Sequence, residues 1–515
     1  MWASLSEHFV TNDWLIPDLS GGEPDNAIAG RMKLASPPLG IYDSFTEKGL
    51  FWLPNKREDE VPGTLSYDSE NGAVLKLLGI FGELHEAFGR ALGGARDNHG
   101  AVIHGVTMKG KPISLLHAHD TNRQLNMPGI PNETWKSNLL VIGAHLTSAD
   151  EEAIFSKSYF RFDEIETWLE HSPFTDVLNT EAKTLTVHAA KPREVAFASH
   201  ADFEVSSVGS LYSDNKQATR FVIDVTSQMA ITPHEPKSLN WHLNRARRLQ
   251  ELASLCTGHF LPLTYFELRG PDVELGGGGT RPAEVHFYAQ MIHGEGRAET
   301  QSKQRTPIVT GPELNRFNPQ AMQLWFDQFE AFDPALRLFF TITGARHMFT
   351  NIRLLLAIQA LEVFHRRTSD EAIMAEEKFT EFTEAMVAAI PPDTEADMHE
   401  KLESLYRYAN EPSLKQRLRS IVASLTAAFG ETPCGFNSRY LRKLVDTRNY
   451  YTHFSEELSA RTFDGEGMYW ATRRIVLLLT LLFLQRLGIP ADDIKPLLKR
   501  HNEFSQLWAK SDRPR

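Results

Sequence analysis

The segment Arg448-Asn449-Tyr450-Tyr451-Thr452-His453 holds an arginine, an amide and a histidine within six residues. These three side-chain types suffice for RNA cleavage without a metal. A histidine can take the proton of a 2′-hydroxyl or protonate the leaving 5′-oxygen at neutral pH. An arginine can stabilise the charge that develops on the phosphorane oxygens. An asparagine can orient the histidine or hydrogen-bond the phosphate. One helix supplies only one histidine. Acid and base acting together need a second copy, which a symmetric dimer can place opposite the first. A purely structural reading stays open beside this one: Arg448 pairs with Asp446 or another acid, and His453 caps the helix or lies on the surface.

The spacing predicts a helix from about Ser438 to Leu458 under this motif. At 100° per residue, Leu441, Leu444 and Val445 form an apolar stripe, and Arg448 occupies its next turn. An arginine there faces a site or is buried, and burial is costly unless an anion pairs with it. Arg442, Asp446, Asn449 and His453 form a second, polar stripe. Asn449 and His453 are i,i+4 neighbours and can act on one ligand. Asp446 is a supporting candidate on that stripe, and Arg439, Arg442 and Lys443 are candidate RNA contacts. Thr447 and Tyr451 receive no role.

The surrounding chain has 515 residues and a net charge of -12. Its 42% hydrophobic and 23% charged residues are ordinary globular usage and exclude wholesale disorder. Two distant cysteines, Cys256 and Cys434, exclude a disulfide scaffold and every all-cysteine zinc site, and fit a reducing cytoplasm. Met1–Ser20 has no basic n-region and is not expected to be a signal peptide. The longest apolar run, Ile475–Leu484, is too short to span a bilayer and reads as a buried helix, so no membrane is expected.

Short β-type runs punctuated by turn residues fill the first 300 or so positions: Gly63–Tyr67, Ala73–Leu78, Ala101–Met108, Asn138–His145, Thr184–His188, Ala196–Ala198, Arg220–Val225 and Glu284–Met291. One helix, Ser238–Ser254, interrupts them. Residues 294–312 read as a polar linker, and residues 313–515 as a helical bundle. The expected class is α+β: a β-rich part over 1–293, then an all-α part. Charge divides likewise. The first 330 residues carry 29 Lys and Arg against 42 Asp and Glu, the remainder 25 against 24. Residues 401–450 concentrate nine basic residues against four acids, just ahead of the motif. The acidic total therefore does not exclude RNA. It suggests that the acidic N-terminal part masks RNA until activation.

Three other patterns compete for a role. Gly105-x4-Gly110-Lys111 has the outline of a phosphate-binding loop, but Pro112 replaces the required Ser or Thr and strand pattern follows, so a β-turn is expected. His117 and His119 alternate onto one face of a strand, as in metal hydrolases, and define a metal-dependent hydrolase as a rival; the matching downstream ligand spacing is absent. Arg245, Arg247 and Arg248 form a basic run on a helix, ordinarily a solvated face.

The Arg448, Asn449, His453 set resembles the R-N-x-x-x-H motif of HEPN-domain ribonucleases. The upstream Ala360-Leu361-Glu362 resembles the "ALE" helix of the Apea-like HEPN group. Phe51-Trp52-Leu53-Pro54, Gly63-Thr64-Leu65, Leu75–Gly79, Gly143-Ala144-His145 and Ile165–Leu169 resemble the ApeA N-terminal domain, in family order. The resemblance implies a bacterial, cytoplasmic anti-phage protein of the abortive-infection type. It would be a homodimer joined through its HEPN domain, whose metal-independent endoribonuclease halts translation by cutting RNA, tRNA above all. The N-terminal part would sense a phage-encoded trigger. Arg448, Asn449 and His453 would be catalytic, with Glu362 supporting, and no cofactor or metal is implied. The alternative from a different class is a non-catalytic HEPN module that binds RNA, nucleotides or a partner protein.

Overall fold

The computed structural model describes residues 39–82, 100–124, 126, 128–150, 152–217, 220–274, 278–291, 306–345 and 347–509. The Met1–Ser20 segment considered above lies outside them. Six strands close a barrel: β1 (Phe45–Trp52), β2 (Val61–Asp68), β3 (Gly72–Leu77), β4 (Ala101–Thr107), β5 (Pro112–Gln124) and β6 (Asn132–Ser137). They run in the order β5-β4-β1-β2-β3-β6, and β6 returns to pair with the second half of β5. Alternation builds the barrel's interior, with Phe51, Leu65, Leu75, Ile103, Leu115 and Trp135 pointing inward.

The chain continues through β7 (Leu139–Ile142), β8 (Lys157–Phe162), the one-turn α1 (Ile165–Trp168), β9 (Phe174–Asn179), β10 (Thr184–Ala189), β11 (Val195–Ser199), β12 (Phe203–Gln217) and β13 (Arg220–Pro233). Helix α2 (Leu239–Thr257), β14 (Leu263–Glu274) and β15 (Thr280–Ala289) complete this part. An open sheet ordered β7-β15-β14-β8-β13-β12-β11 joins the barrel where β7 pairs with β5. β9 and β10 make a separate hairpin. Among the described residues, those within 39–211 and 224–509 form one compact unit, and those within 212–223, in β12 and β13, belong to another.

The helical part comprises α3 (Gly311–Phe317), α4 (Ala321–Gly344), α5 (Thr350–Thr368), α6 (Glu376–Ala388), α7 (Ala396–Arg407), α8 (Leu414–Phe429), α9 (Ser438–His453), α10 (Gly465–Arg486), α11 (Ala491–Arg500) and α12 (Asn502–Ala509). Proline and glycine separate successive helices: Pro391-Pro392 lies between α6 and α7, and Gly488–Pro490 between α10 and α11. Helix α10 is long and apolar enough to cross a membrane by length and composition. Every residue from Ile475 to Leu484 is buried, so it forms the spine of the bundle, packed against α5.

The boundary between the parts is tighter than a linker. Residues 294–305 lie outside the described residues. Beyond them, Ile308 and Val309 are buried, and both donate their N–H to the Cys256 carbonyl, at 2.8 and 3.0 Å. A capping box of Thr310 and Glu313 starts α3 at Gly311. Arg500 clamps Glu313 with two bonds, 2.8 and 2.7 Å. One apolar core runs from Phe160 and Phe266 of the sheet through Leu249 and Leu252 of α2 to Trp325, Phe364 and Phe483 of the bundle. Arg248, expected on a solvated face, joins the parts: it bonds Glu251 and Asp333 and lies 3.1 Å from the centre of the Phe329 ring.

Candidate active site

Helix α9 carries the motif and is fixed at both ends. At its start the Asn437 side chain accepts the Tyr440 N–H at 2.9 Å. At its end Phe454 takes a left-handed conformation (φ 51°), and the helix stops at His453, five residues before the expected Leu458. A 3-10 turn, Glu456–Arg461, then folds back on α9. α9 rests on α8 and α5 through Leu441 and Leu444.

Arg448 does not sit at the centre of the apolar stripe. Thr447, fully buried, takes that place. Its hydroxyl donates to the Lys443 carbonyl at 2.7 Å and accepts the Phe463 N–H at 3.1 Å. The hydroxyl thereby ties the motif helix to the segment leading into α10. Nearby, Arg474 lies over the Tyr440 ring, and burial pushes the Tyr440 hydroxyl up to about 12. These anchors turn the neighbouring positions outward. Arg448 and Asn449 are half-buried and joined by a bond from Arg448 Nη1 to Asn449 Oδ1 at 3.2 Å. His453 is exposed one turn later. Rings of Tyr450 and Tyr451 brace the exposed Phe454 beside it, with centroids 5.8 and 6.3 Å away.

Among the described residues no carboxylate lies within ion-pair distance of Arg448. The structural reading in which Asp446 neutralises it is therefore not what the geometry displays. Asp446 is half-exposed on the polar stripe. Arg439 and Arg442 are exposed and likewise have no acidic partner, while Lys443 extends over the Phe463 ring at 4.6 Å. The face thus offers a cation, an amide and an imidazole to an incoming anion.

Glu362 is not brought into this set. On α5 it accepts from Arg366 at 3.2 Å, and Arg366 also bonds Glu411. Arg417 joins Glu411 at 3.2 Å and His365 Nδ1 at 3.3 Å, and His365 Nε2 meets Glu371 at 3.0 Å. Burial holds both His365 and Arg417 below their usual values. This network ties α5 to α8.

The rival motifs resolve as parts of the barrel. Met108–Gly110 is the turn of the β4–β5 hairpin, with Gly110 at φ 77°. His117 stands at a bulge in β5, itself in a left-handed conformation (φ 55°), so the strand is not regular there. Among the described residues no three His, Cys, Asp or Glu side chains group closely enough to hold a metal ion. Both cysteines are buried.

A model of ApeA N-terminal domain 1 matches residues 46–318, and a model of the Apea-like HEPN domain matches residues 355–493. The chain belongs to the ApeA family. Its N-terminal match spans the barrel, the open sheet, α2 and α3; its HEPN match begins within α5 and includes the motif helix. Membership supports a nuclease-type role in anti-phage defence for this ApeA-like chain. No curated protein and no solved structure matches it.

Proposed function

We propose that this ApeA-like chain is a metal-independent endoribonuclease that cuts RNA, with tRNA as substrate, and so halts translation in the cytoplasm of a phage-infected bacterium. The observation that carries this reading is Arg448: a half-buried guanidinium on the motif helix, bonded to Asn449 and without a carboxylate partner among the described residues. A phosphate supplies the missing negative charge.

Two copies related by a two-fold axis complete the chemistry. The RNA 2′-oxygen attacks phosphorus, and its proton passes to one neutral His453. The bond to the 5′-oxygen breaks, and the protonated His453 of the other copy returns a proton to that oxygen. A 2′,3′-cyclic phosphate and a 5′-hydroxyl end result. Arg448 stabilises the phosphorane oxygens, and Asn449 holds the guanidinium in place. The N-terminal part meets a phage-encoded trigger. Full-length protein incubated with tRNA in EDTA tests the reading. Fragments ending in 2′,3′-cyclic phosphate support it. RNA bound but uncut would favour a non-catalytic module, and cleavage only with added metal would favour a metal hydrolase.

A further inference from the structure

Helices α6 and α7 form a hairpin rooted between the end of α5 and the start of α8. The root is clamped: the Met374 N–H donates to Asn410 Oδ1 at 2.8 Å, and Asn410 Nδ2 donates back to the Met374 carbonyl at 3.1 Å. Above the root little is covered. Phe379 is the only buried residue of α6, and α7 has none. Yet α7 is amphipathic. Met398, Leu402 and Leu405 follow at i, i+4 and i+7 on one face, with Met398 50% and Leu405 57% exposed. Phe382 of α6 adds a further exposed ring. An uncovered apolar stripe framed by charge marks a contact surface.

The charge of the hairpin indicates what covers it. Between Glu376 and Arg407 lie nine carboxylates against three basic residues. The one ion pair within the hairpin is His399 with Glu403, and among the described residues none of its carboxylates pairs with a basic residue elsewhere. Helix α9 has the opposite imbalance. Arg439 and Arg442 are exposed, and they and Arg448 have no acidic partner among the described residues. The same chain therefore presents an unpaired acidic, apolar-striped arm and an unpaired basic face, and does not join them to each other.

We propose that the α6–α7 hairpin of one copy docks on the basic face of α9 in a second copy, setting its carboxylates against Arg439 and Arg442. RNA must then displace the arm to reach that face. Arg439 lies fourteen residues before His453, about 20 Å along the helix, so a docked arm leaves the C-terminal end of α9 free to meet its counterpart. The docking stands on the exposed stripe and the charge pattern. Only the competition with RNA rests on the reading under Proposed function.

Cysteine cross-linking of the full-length protein tests it, since Cys256 and Cys434 are both buried and offer little background. Chains carrying Ala385→Cys are mixed with chains carrying Ser438→Cys and treated with a short bis-maleimide. The expected result is a cross-link between chains at about 0.1 M salt. It should fall about tenfold at 1 M salt, where the screening length shrinks from about 10 to about 3 Å. Glu381→Lys with Glu384→Lys on the first chain should abolish the link, and Arg439→Glu with Arg442→Glu on the second should restore it. A yield equal to that of a control cysteine at Thr186, a salt-insensitive link, or no restoration by the charge swap would overturn the docking. Wild-type protein that cross-links as expected but never cuts RNA would leave the docking intact and sink the nuclease reading instead.

Discussion

Thr447 gives the sharpest test of how the motif helix is held. Replacing it with valine keeps the shape but deletes the hydroxyl. The Lys443 carbonyl loses little, because it keeps its place in the α9 hydrogen-bond ladder. The Phe463 N–H loses the acceptor it has at 3.1 Å, in a place where Phe463 is only 8% exposed. A buried amide left without a partner costs about 1–3 kcal/mol. At 1.4 kcal/mol per factor of ten, hydrogen exchange in the peptide spanning Phe463 should speed by about 5- to 150-fold in Thr447→Val. Thr447→Ser should restore most of the protection. RNA cleavage should fall less than in Arg448→Ala, because Thr447 positions the motif helix without touching substrate. Unchanged exchange in Thr447→Val would refute the claim that this hydroxyl ties α9 to the segment before α10.

Three further outcomes follow from the same geometry. His242 is fully buried between the Ser158 hydroxyl and the Phe155 carbonyl, and burial pushes it down to about 4. The unfolded chain then binds the extra proton first, so this stabilisation is complete above the unfolded value near 6.5 and is lost as pH falls toward 4. Between pH 7 and pH 5 it should cost about 2 kcal/mol, seen as a lower urea midpoint that His242→Asn makes less pH-dependent. Arg500→Gln should destabilise by about 2–3 kcal/mol, because it strands the buried Glu313 carboxylate; half-exposure of Arg500 keeps this below the cost of a fully buried pair. A double-mutant cycle with Glu313→Gln should return a coupling of about 1–2 kcal/mol. Glu362→Gln should change stability by less than about 1 kcal/mol and leave the cleavage rate intact. A rate loss equal to that of Arg448→Ala would place Glu362 in the site after all.

Much of this architecture was legible in the sequence because local pattern dictates it. Short β-type runs bounded by turn residues marked β2, β3 and β4. Ser238 and Gly258 bracket α2 as its caps, one accepting the Trp241 N–H and the other left-handed at φ 79°. The apolar run Ile475–Leu484 was readable as a buried helix from its length and charged flanks. Long-range pairing was not readable. Nothing local announces that β6 returns to β5 to close the barrel, or that α2 shares one core with α4. Arg248 looked solvated because its partner Asp333 lies 85 residues away. At the site, helical spacing put Arg448, and not Thr447, on the next turn of the stripe through Leu441 and Leu444. A threonine hydroxyl that finds two backbone partners can be buried there at little cost, and a guanidinium cannot, so Thr447 turned in and Arg448 turned out. The early stop at His453 follows from Phe454 adopting a left-handed conformation, uncommon for a residue other than glycine.

The central claim is that Arg448 and His453 perform RNA cleavage, and single-turnover kinetics on tRNA in EDTA measure it most directly. His453→Ala should lose about 10²–10⁴ in rate and Arg448→Ala about 10²–10³, with both variants still folded. Either variant cutting tRNA at the wild-type rate would contradict the assignment.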